Sequence, residues 1–224
     1  MKALKTVVPA WRWAGLASAA AIAVALAFPV AAQKSEAFLA GEKAYHRGDV
    51  RGAIAKLKPA ADRGEADSQA LLGEILDYAE NNDEAVAYFR KSADQGNVDG
   101  AFGLGRMMAI GEGTPKDPAG ARVWMIRAAE GGHEAALRTV VLAYAEGGLG
   151  LSAEQRASPE ALNWIRKGVD EKMPKAMLRL AKAYRNGEFG LAVNVKEAEA
   201  LEARIRALSG AKPQKGKQDA NKPK

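Results

Sequence analysis

The chain has 224 residues, a formal net charge of +6, 48% apolar residues, only 6% aromatic residues and no cysteine. The absence of cysteine excludes disulfides, thiolate nucleophiles, and zinc or iron–sulfur sites with cysteine ligands. Much of the apolar fraction is alanine, which favours closely packed helices, whereas strands prefer β-branched and aromatic residues. The composition therefore indicates an all-α protein of one or two domains.

The positive charge is concentrated at the two ends of the sequence. Residues 1–32 contain three basic residues and no acidic residue, and residues 211–224 contain five lysines and one aspartate. These segments carry +3 and +4, and subtracting both from +6 leaves −1 for residues 33–210. A nucleic-acid-binding surface needs Lys and Arg clustered on the folded part of a protein. We therefore expect no nucleic-acid partner.

The first 32 residues have the pattern of a secretory signal peptide. Three basic residues precede an uncharged, alanine-rich run that ends in Val30-Ala31-Ala32. Small residues at these positions predict cleavage between Ala32 and Gln33, which gives a periplasmic or secreted protein. Residues 13–32 are also long enough to span a bilayer, so an uncleaved inner-membrane anchor is the alternative. Both interpretations predict export.

Residues 33–210 contain a repeated pattern of helix, turn, helix and stop. The clearest copy contains, in order, Leu104-Gly105, Gly111, Asp117, Ala121, Trp124, Ala128-Ala129 and Gly131. The second position of the Leu-Gly pair recurs at 41, 73, 105, 141 and 181, with spacings of 32, 32, 36 and 40 residues. A small residue there lets two antiparallel helices approach closely. One hairpin cannot bury its apolar faces alone, so the hairpins are expected to stack.

The pattern predicts ten helices within these repeats. In chain order they are at about 35–47, 50–63, 66–80, 83–95, 98–110, 118–131, 133–146, 158–171, 174–186 and 194–208. An aromatic residue in three of the second helices (Tyr88, Trp124 and Trp164) is expected to fill the space between units. Val141 replaces the small residue and is expected to widen its helix crossing. Residues 148–157 form an insertion, and residues 211–224 have the composition of a disordered segment.

The pattern A-x-x-x-L-G-x-x-Y-x-x-G-x-G-x-x-x-D-x-x-x-A-x-x-W-x-x-x-A-A-x-x-G resembles the Sel-one-like repeat (SLR) family, a branch of the tetratricopeptide-like α/α solenoids. The resemblance covers about residues 35–208. It implies a bacterial exported protein folded as a right-handed α/α superhelical solenoid of about five helix-turn-helix repeats. It also implies a monomeric, non-enzymatic adaptor or regulator that binds a peptide or protein partner of the cell envelope on its concave face.

Two other functions are compatible with parts of the sequence. Cysteine-rich secreted relatives of the family have been linked to penicillin binding or β-lactam hydrolysis, but this chain has no cysteine and no serine-hydrolase motif, so we do not expect an enzyme. A membrane-tethered structural protein would use residues 13–32 as its anchor. The lysine-rich tail could contact an anionic envelope polymer or lipid, or simply keep the chain soluble.

The concave side of such a solenoid is normally formed by the first helix of each pair. Seven charged residues of these helices are predicted to lie off the packing seam and to form a protein-binding surface: Glu74, Asp77, Arg106, Arg138, Arg179, Lys182 and Arg185. Acidic residues dominate the early repeats and basic residues the late ones. Such a gradient would orient a charged partner. The alternative is that these are ordinary solvated charges.

The remaining chemistry-bearing residues predict no cofactor and no metal. His46 and His133 lack the i, i+3 or i+4 partners of helix-borne ligands, so both are interpreted as solvated residues at helix ends. The glycine-rich turns follow helices and not strands, which argues against a phosphate loop. Most Met and Phe residues recur at helical spacing and are assigned to the core. Phe189, in a turn, is expected to be more exposed and available for a contact.

Overall fold

The computed structural model describes residues 34–210, which contain eleven α-helices and no strand. The helices are α1 (Glu36–His46), α2 (Val50–Asp62), α3 (Ala66–Tyr78), α4 (Asn82–Asp94), α5 (Val98–Ile110), α6 (Pro118–Glu130), α7 (Glu134–Glu146), α8 (Ala153–Arg156), α9 (Pro159–Asp170), α10 (Pro174–Asn186) and α11 (Val195–Leu208). All ten predicted helices are present. The added elements are α8, a single turn within the insertion, and a 3₁₀ turn at Glu188–Gly190.

The predicted signal peptide or anchor at 1–32 and the predicted disordered tail at 211–224 lie outside the described residues. Among residues 34–210, none of the helices has the length and hydropathy needed to cross a bilayer.

The helices pair in chain order into five antiparallel hairpins, as predicted: α1 with α2, α3 with α4, α5 with α6, α7 with α9, and α10 with α11. Successive hairpins stack, which makes an α/α solenoid. The first helices form one face of the stack, called here the first-helix face. On this face α3 packs on α5 and α7 packs on α10, whereas α5 and α7 make little direct contact. The first-helix face is therefore divided in two between α5 and α7.

Side chains at the helix starts define where several of the helices begin. The carboxylates of Asp49 and Asp117 accept hydrogen bonds from the backbone N–H groups of Gly52 and Gly120, and Asn97 does the same for Gly100. These bonds satisfy N–H groups that the first turn of a helix leaves unpaired. At the other end, α5 terminates at Gly111, whose φ of 88° is strained for residues with a side chain.

Close approach within the first two hairpins depends on the predicted small residues. A Cβ atom added to Gly41 would lie 2.4 Å from the Leu57 side chain, and one added to Gly73 would lie 2.9 Å from the Phe89 ring. Leu57 and Phe89 are buried on the second helix of the same hairpin. The large side chain of one helix therefore occupies the space that glycine leaves on the other.

The fourth hairpin reverses this arrangement. Val141 of α7 stands where the first three repeats have glycine and the fifth has alanine, and it is fully buried. The partner helix α9 carries Gly168, where an added Cβ would lie 2.4 Å from Cγ1 of Val141 and 2.7 Å from Cβ of Ala176. The small residue has moved to the other helix. The widening expected from Val141 alone stays a prediction, but Gly168 supplies the space that Val141 needs.

Aromatic residues link neighbouring hairpins. Tyr88 and Trp164 are buried as predicted, and Trp124 is partly buried. The Tyr88 hydroxyl accepts a hydrogen bond from Lys58 at 2.8 Å and donates one to Asp62 at 2.8 Å, which joins α4 to α2. The predicted core residues Phe38, Phe89, Met107, Met125 and Met177 are also buried.

Gly168→Ala should lower the free energy of unfolding by about 1–3 kcal/mol, because the new methyl group overpacks Val141. In a Val141→Ala background the same change should cost less, because the Cγ1 atom that the methyl group meets is gone. Urea denaturation of the wild type, both single variants and the double variant measures this coupling. Equal costs in the two backgrounds would show that Gly168 does not accommodate Val141.

Candidate functional site

The first-helix face has two grooves, one on each side of the division between α5 and α7. The groove formed by α1, α3 and α5, with His133 at its far edge, is called the N-terminal groove and has a volume of about 430 Å³. The groove formed by α7, α10 and α11 is called the C-terminal groove and has a volume of about 520 Å³. Each is large enough to receive several side chains of a partner but too open to enclose a small ligand.

The floor of the N-terminal groove is apolar. Gly103 of α5 lies against the buried ring of Phe89, where an added Cβ would be 2.3 Å from Cε1. Ala70 also lies on this floor, and the half-buried side chains of Leu71 and Phe102 form its walls. The depression exists because small residues face the groove between two larger apolar ones.

The rim of the N-terminal groove carries both paired and unpaired charges. Lys34 lies 3.5 Å from Glu42 and 4.2 Å from the centre of the Phe38 ring. Arg106 of α5 forms an ion pair with Asp77 of α3, so these two predicted site residues neutralise each other. The side chain of Asp77 is only 13% exposed. The pair therefore links two repeats, and the Asp77 carboxylate is not available to a partner.

Three further carboxylates on this groove, Asp67, Glu74 and Asp99, have no Lys or Arg partner within residues 34–210. Asp67 accepts a hydrogen bond from Asn97 at 2.6 Å. Burial, together with the nearby Glu74 carboxylate, raises the pKa of the Tyr45 hydroxyl. The groove therefore carries a net negative charge above an apolar floor.

His133 is not the solvated helix-end residue that the sequence predicted. Its side chain is 17% exposed, and its ring stacks on Phe102 with 4.3 Å between centroids. Its Nδ1 accepts the N–H of Ala136 and so caps α7, and its Nε2 lies 3.6 Å from Asp99. The prediction was wrong because the stacking partner belongs to the preceding repeat. His46, in contrast, is exposed at the end of α1 as predicted.

The C-terminal groove has a different charge balance. Lys175 donates to Glu146 at 2.7 Å, and Arg185 donates to both carboxylate oxygens of Glu202. Lys182 is exposed, without an acidic partner within residues 34–210, and it lies beside Leu178, which is 58% exposed. This groove therefore combines an exposed cation with an exposed apolar side chain.

Arg179 is held by the turn that follows α10. Its guanidinium lies 2.5 Å from Glu188 and stacks over the ring of Phe189 at 4.5 Å. A hydrogen bond from Asn186, and then Arg179, lower the pKa of Glu188. Phe189 is only partly exposed because it covers Arg179. It is still more exposed than the buried rings of Phe38 and Phe89, as expected, and its ring contacts Arg179.

The structure places six of the seven predicted site residues at or beside the two grooves. Glu74 and Arg106 line the N-terminal groove, and Arg179, Lys182 and Arg185 line the C-terminal groove. Asp77 joins the first group through its ion pair with Arg106. Arg138 lines neither groove and is exposed 4.0 Å from Glu134 on the same helix. The predicted role of all seven in binding stays a prediction.

Sequence reasoning missed the apolar members of the N-terminal groove, mainly Leu71, Phe102 and His133. Phe102 lies three residues before the packing Gly105, and Leu71 lies two before Gly73. Leu71, two positions before its glycine, lies on nearly the opposite side of the helix from the packing seam, so its offset was an available signal. Phe102, three positions before its glycine, lies at the edge of the packed side, so its offset gave no such signal. Among residues 34–210 there is no group of three or more His, Asp or Glu side chains arranged to hold a metal ion.

His133→Ala should lower the free energy of unfolding by about 2 kcal/mol, since it removes both the N-cap of α7 and the stack on Phe102. His133→Asn should cost only about 1 kcal/mol, because Asn caps α7 and can bond Asp99 as Asn97 bonds Asp67. Urea denaturation of both variants gives the comparison. If both cost the same, His133 does not act as a cap.

Comparison with known proteins supports the repeat assignment. The family model described as the Sel1 repeat matches residues 66–97, 98–133 and 174–201. No curated protein was found with significant similarity to the chain.

Two solved structures are similar to the chain over most of its length. The first is c5321, described as a protective antigen of uropathogenic Escherichia coli strains with an SLR fold, at 25% identity and a TM-score of 0.62. The match covers 77% of this chain and 38% of that one. The second is a Sel1 repeat protein from Oxalobacter formigenes, at 25% identity and a TM-score of 0.56, covering 76% and 55% of the two chains. The chain thus spans well under two thirds of either protein.

Proteins built from Sel1 repeats are generally protein-interaction modules and non-enzymatic scaffolds. The matched repeats, the stacked hairpins and the two structural neighbours agree with the resemblance inferred from the sequence. The chain therefore contains three Sel1 repeats and has the SLR solenoid fold.

Proposed function

We propose that this protein is a non-enzymatic adaptor or regulator of the bacterial cell envelope that binds a peptide or protein partner on its first-helix face. The observation that carries the proposal is the N-terminal groove, where an apolar floor lies open between charged rims. A groove of this kind suits an extended segment, whose side chains reach the floor while its backbone stays near the rim.

The two most exposed large apolar side chains within the described helices, Tyr78 and Leu178, both belong to first helices, which supports this face as the binding surface. Leu39, Tyr78 and Leu178 are exposed on first helices, with Tyr78 at 76% and Leu178 at 58%. Of these, Leu178 lines the C-terminal groove. Large apolar side chains left in water favour contact with a partner, because their burial is worth about 25 cal/mol per Å². Tyrosine is also among the residues that most often dominate binding energies.

In the folded protein, ion pairing leaves fewer free charges on the first-helix face than the predicted gradient assumes. Most of the predicted charges are engaged in pairs such as Arg106 with Asp77 and Arg185 with Glu202. The charges left for a partner are Glu74 on the N-terminal groove and Lys182 on the C-terminal groove. A partner that spans both grooves would be oriented by the negative charge at one groove and the positive charge at the other.

An envelope location rests on the sequence of residues 1–32. We propose that this segment exports the chain and is removed between Ala32 and Gln33, with membrane anchoring through 13–32 as the competing outcome. The full-length gene product expressed in its bacterial host should be recovered from the periplasm or medium, with Gln33 as its first residue by N-terminal sequencing. A membrane fraction containing the intact N-terminus would instead support the anchor.

Photocrosslinking tests the binding face directly. A benzophenone amino acid at Tyr78 or Leu178, both exposed on first helices, should crosslink a specific protein in intact cells. Val123 on α6 is the matched control, because it is apolar and 49% exposed on a second helix. A product at Tyr78 or Leu178 that is absent at Val123 supports the proposal. The same products at all three positions, or none at the first two, would contradict it.

A further inference from the structure

The N-terminal groove has a chemistry that narrows the kind of partner it fits. Its floor and walls offer Ala70, Leu71, Phe102 and the backbone at Gly103, which suit one apolar or aromatic side chain. Glu74 and Asp99 lie on the two helices that flank this floor, α3 and α5. A side chain seated on the floor would therefore have a carboxylate from each of the two helices that form the groove.

The cations already present do not cancel this negative charge. Lys34 is engaged with Glu42, and Arg106 is engaged with Asp77 across the groove. Asp99 is 72% exposed, and it pairs with no Lys or Arg within residues 34–210; its neighbour is the His133 imidazole. Glu74 is exposed on α3. Two exposed carboxylates beside an apolar depression favour a ligand that presents cations on both sides of an apolar side chain.

Resting on the proposed function, we infer that the N-terminal groove receives a segment of a partner protein in which an apolar or aromatic side chain is flanked by Lys or Arg. The apolar side chain fills the depression at Gly103, and the flanking cations pair with Glu74 and Asp99. The lysine-rich segment 211–224 of this chain has the charge for such a site. It lacks any large apolar residue, so it would leave the floor of the groove empty.

Binding of labelled peptides to the full chain, measured by fluorescence anisotropy, tests the inference. The probe has a central phenylalanine with two lysines on each side. Two matched peptides replace the lysines by glutamates or the phenylalanine by alanine. The basic probe should bind, the glutamate peptide should not bind measurably, and the alanine peptide should bind about tenfold more weakly. Affinity for the basic probe should also fall as salt is raised, because exposed charges are screened.

The double variant Glu74→Gln, Asp99→Asn should bind the basic probe about five- to twentyfold more weakly, since two exposed ion pairs are lost. Both sites are exposed, so circular dichroism should show an unchanged fold. The matched control is Glu130→Gln, Asp170→Asn, which makes the same changes at exposed positions of the second helices α6 and α9 and should bind normally.

Four results of the peptide-binding assay would overturn the inference. They are no binding of the basic probe, equal binding of the glutamate peptide, equal losses in the two double variants, and binding of the probe only after residues 211–224 are deleted. The last would place the chain's own tail in the groove. The inference would also be overturned if the full chain self-associates and the Glu74→Gln, Asp99→Asn variant abolishes this association, since a second copy would then be the occupant.

The photocrosslinking experiment separates this inference from the proposed function. If a specific crosslink forms at Tyr78 or Leu178 while any of the results above is obtained, the proposed function stands, and only the basic, apolar partner segment in the N-terminal groove is ruled out.

Discussion

Close approach of two helices at a residue with little or no side chain is the constraint on which this structure depends. Gly41 and Gly73 let Leu57 and Phe89 lie directly against the backbone of the first helix. The fourth hairpin meets the same requirement from the other side, with Gly168 on α9 facing a valine. What is maintained is the combined volume at the crossing, because a packed interior tolerates neither a void nor an overlap.

That packing also creates the candidate binding surface. When the buried side of a first helix is fixed against its partner, the residue two positions before the packing glycine is turned to the open face, and the residue three positions before it lies at the edge of the packed side. Leu71 and Phe102 occupy these positions, and Gly103 leaves a depression between the helices that carry them. The separation of α5 from α7 then ends the groove at His133, so that one continuous face becomes two sites of different charge.

Electrostatics on this face are dominated by pairs that join elements distant in sequence. Arg106 with Asp77 links two repeats, and Arg185 with Glu202 fixes α11 on α10. Exposed pairs contribute little stability, about 0–1 kcal/mol each, but they remove charge that would otherwise attract a partner. The unpaired charges, and not the total number of charged residues, therefore set the charge that each groove presents to a partner.

The sequence alone determined the helical class, the number of hairpins, the packing positions and most helix ends, because these follow from local signals: glycine spacing, N-cap side chains and the period of apolar residues. Only the tertiary structure decided which charges are free and which residues line a groove. Asp77 and Arg106 lie 29 positions apart. His133 stacks on Phe102 of the preceding repeat, which no local pattern records. Pairing across repeats depends on the rise and rotation of each hairpin on the next, and the geometry of the whole stack sets both.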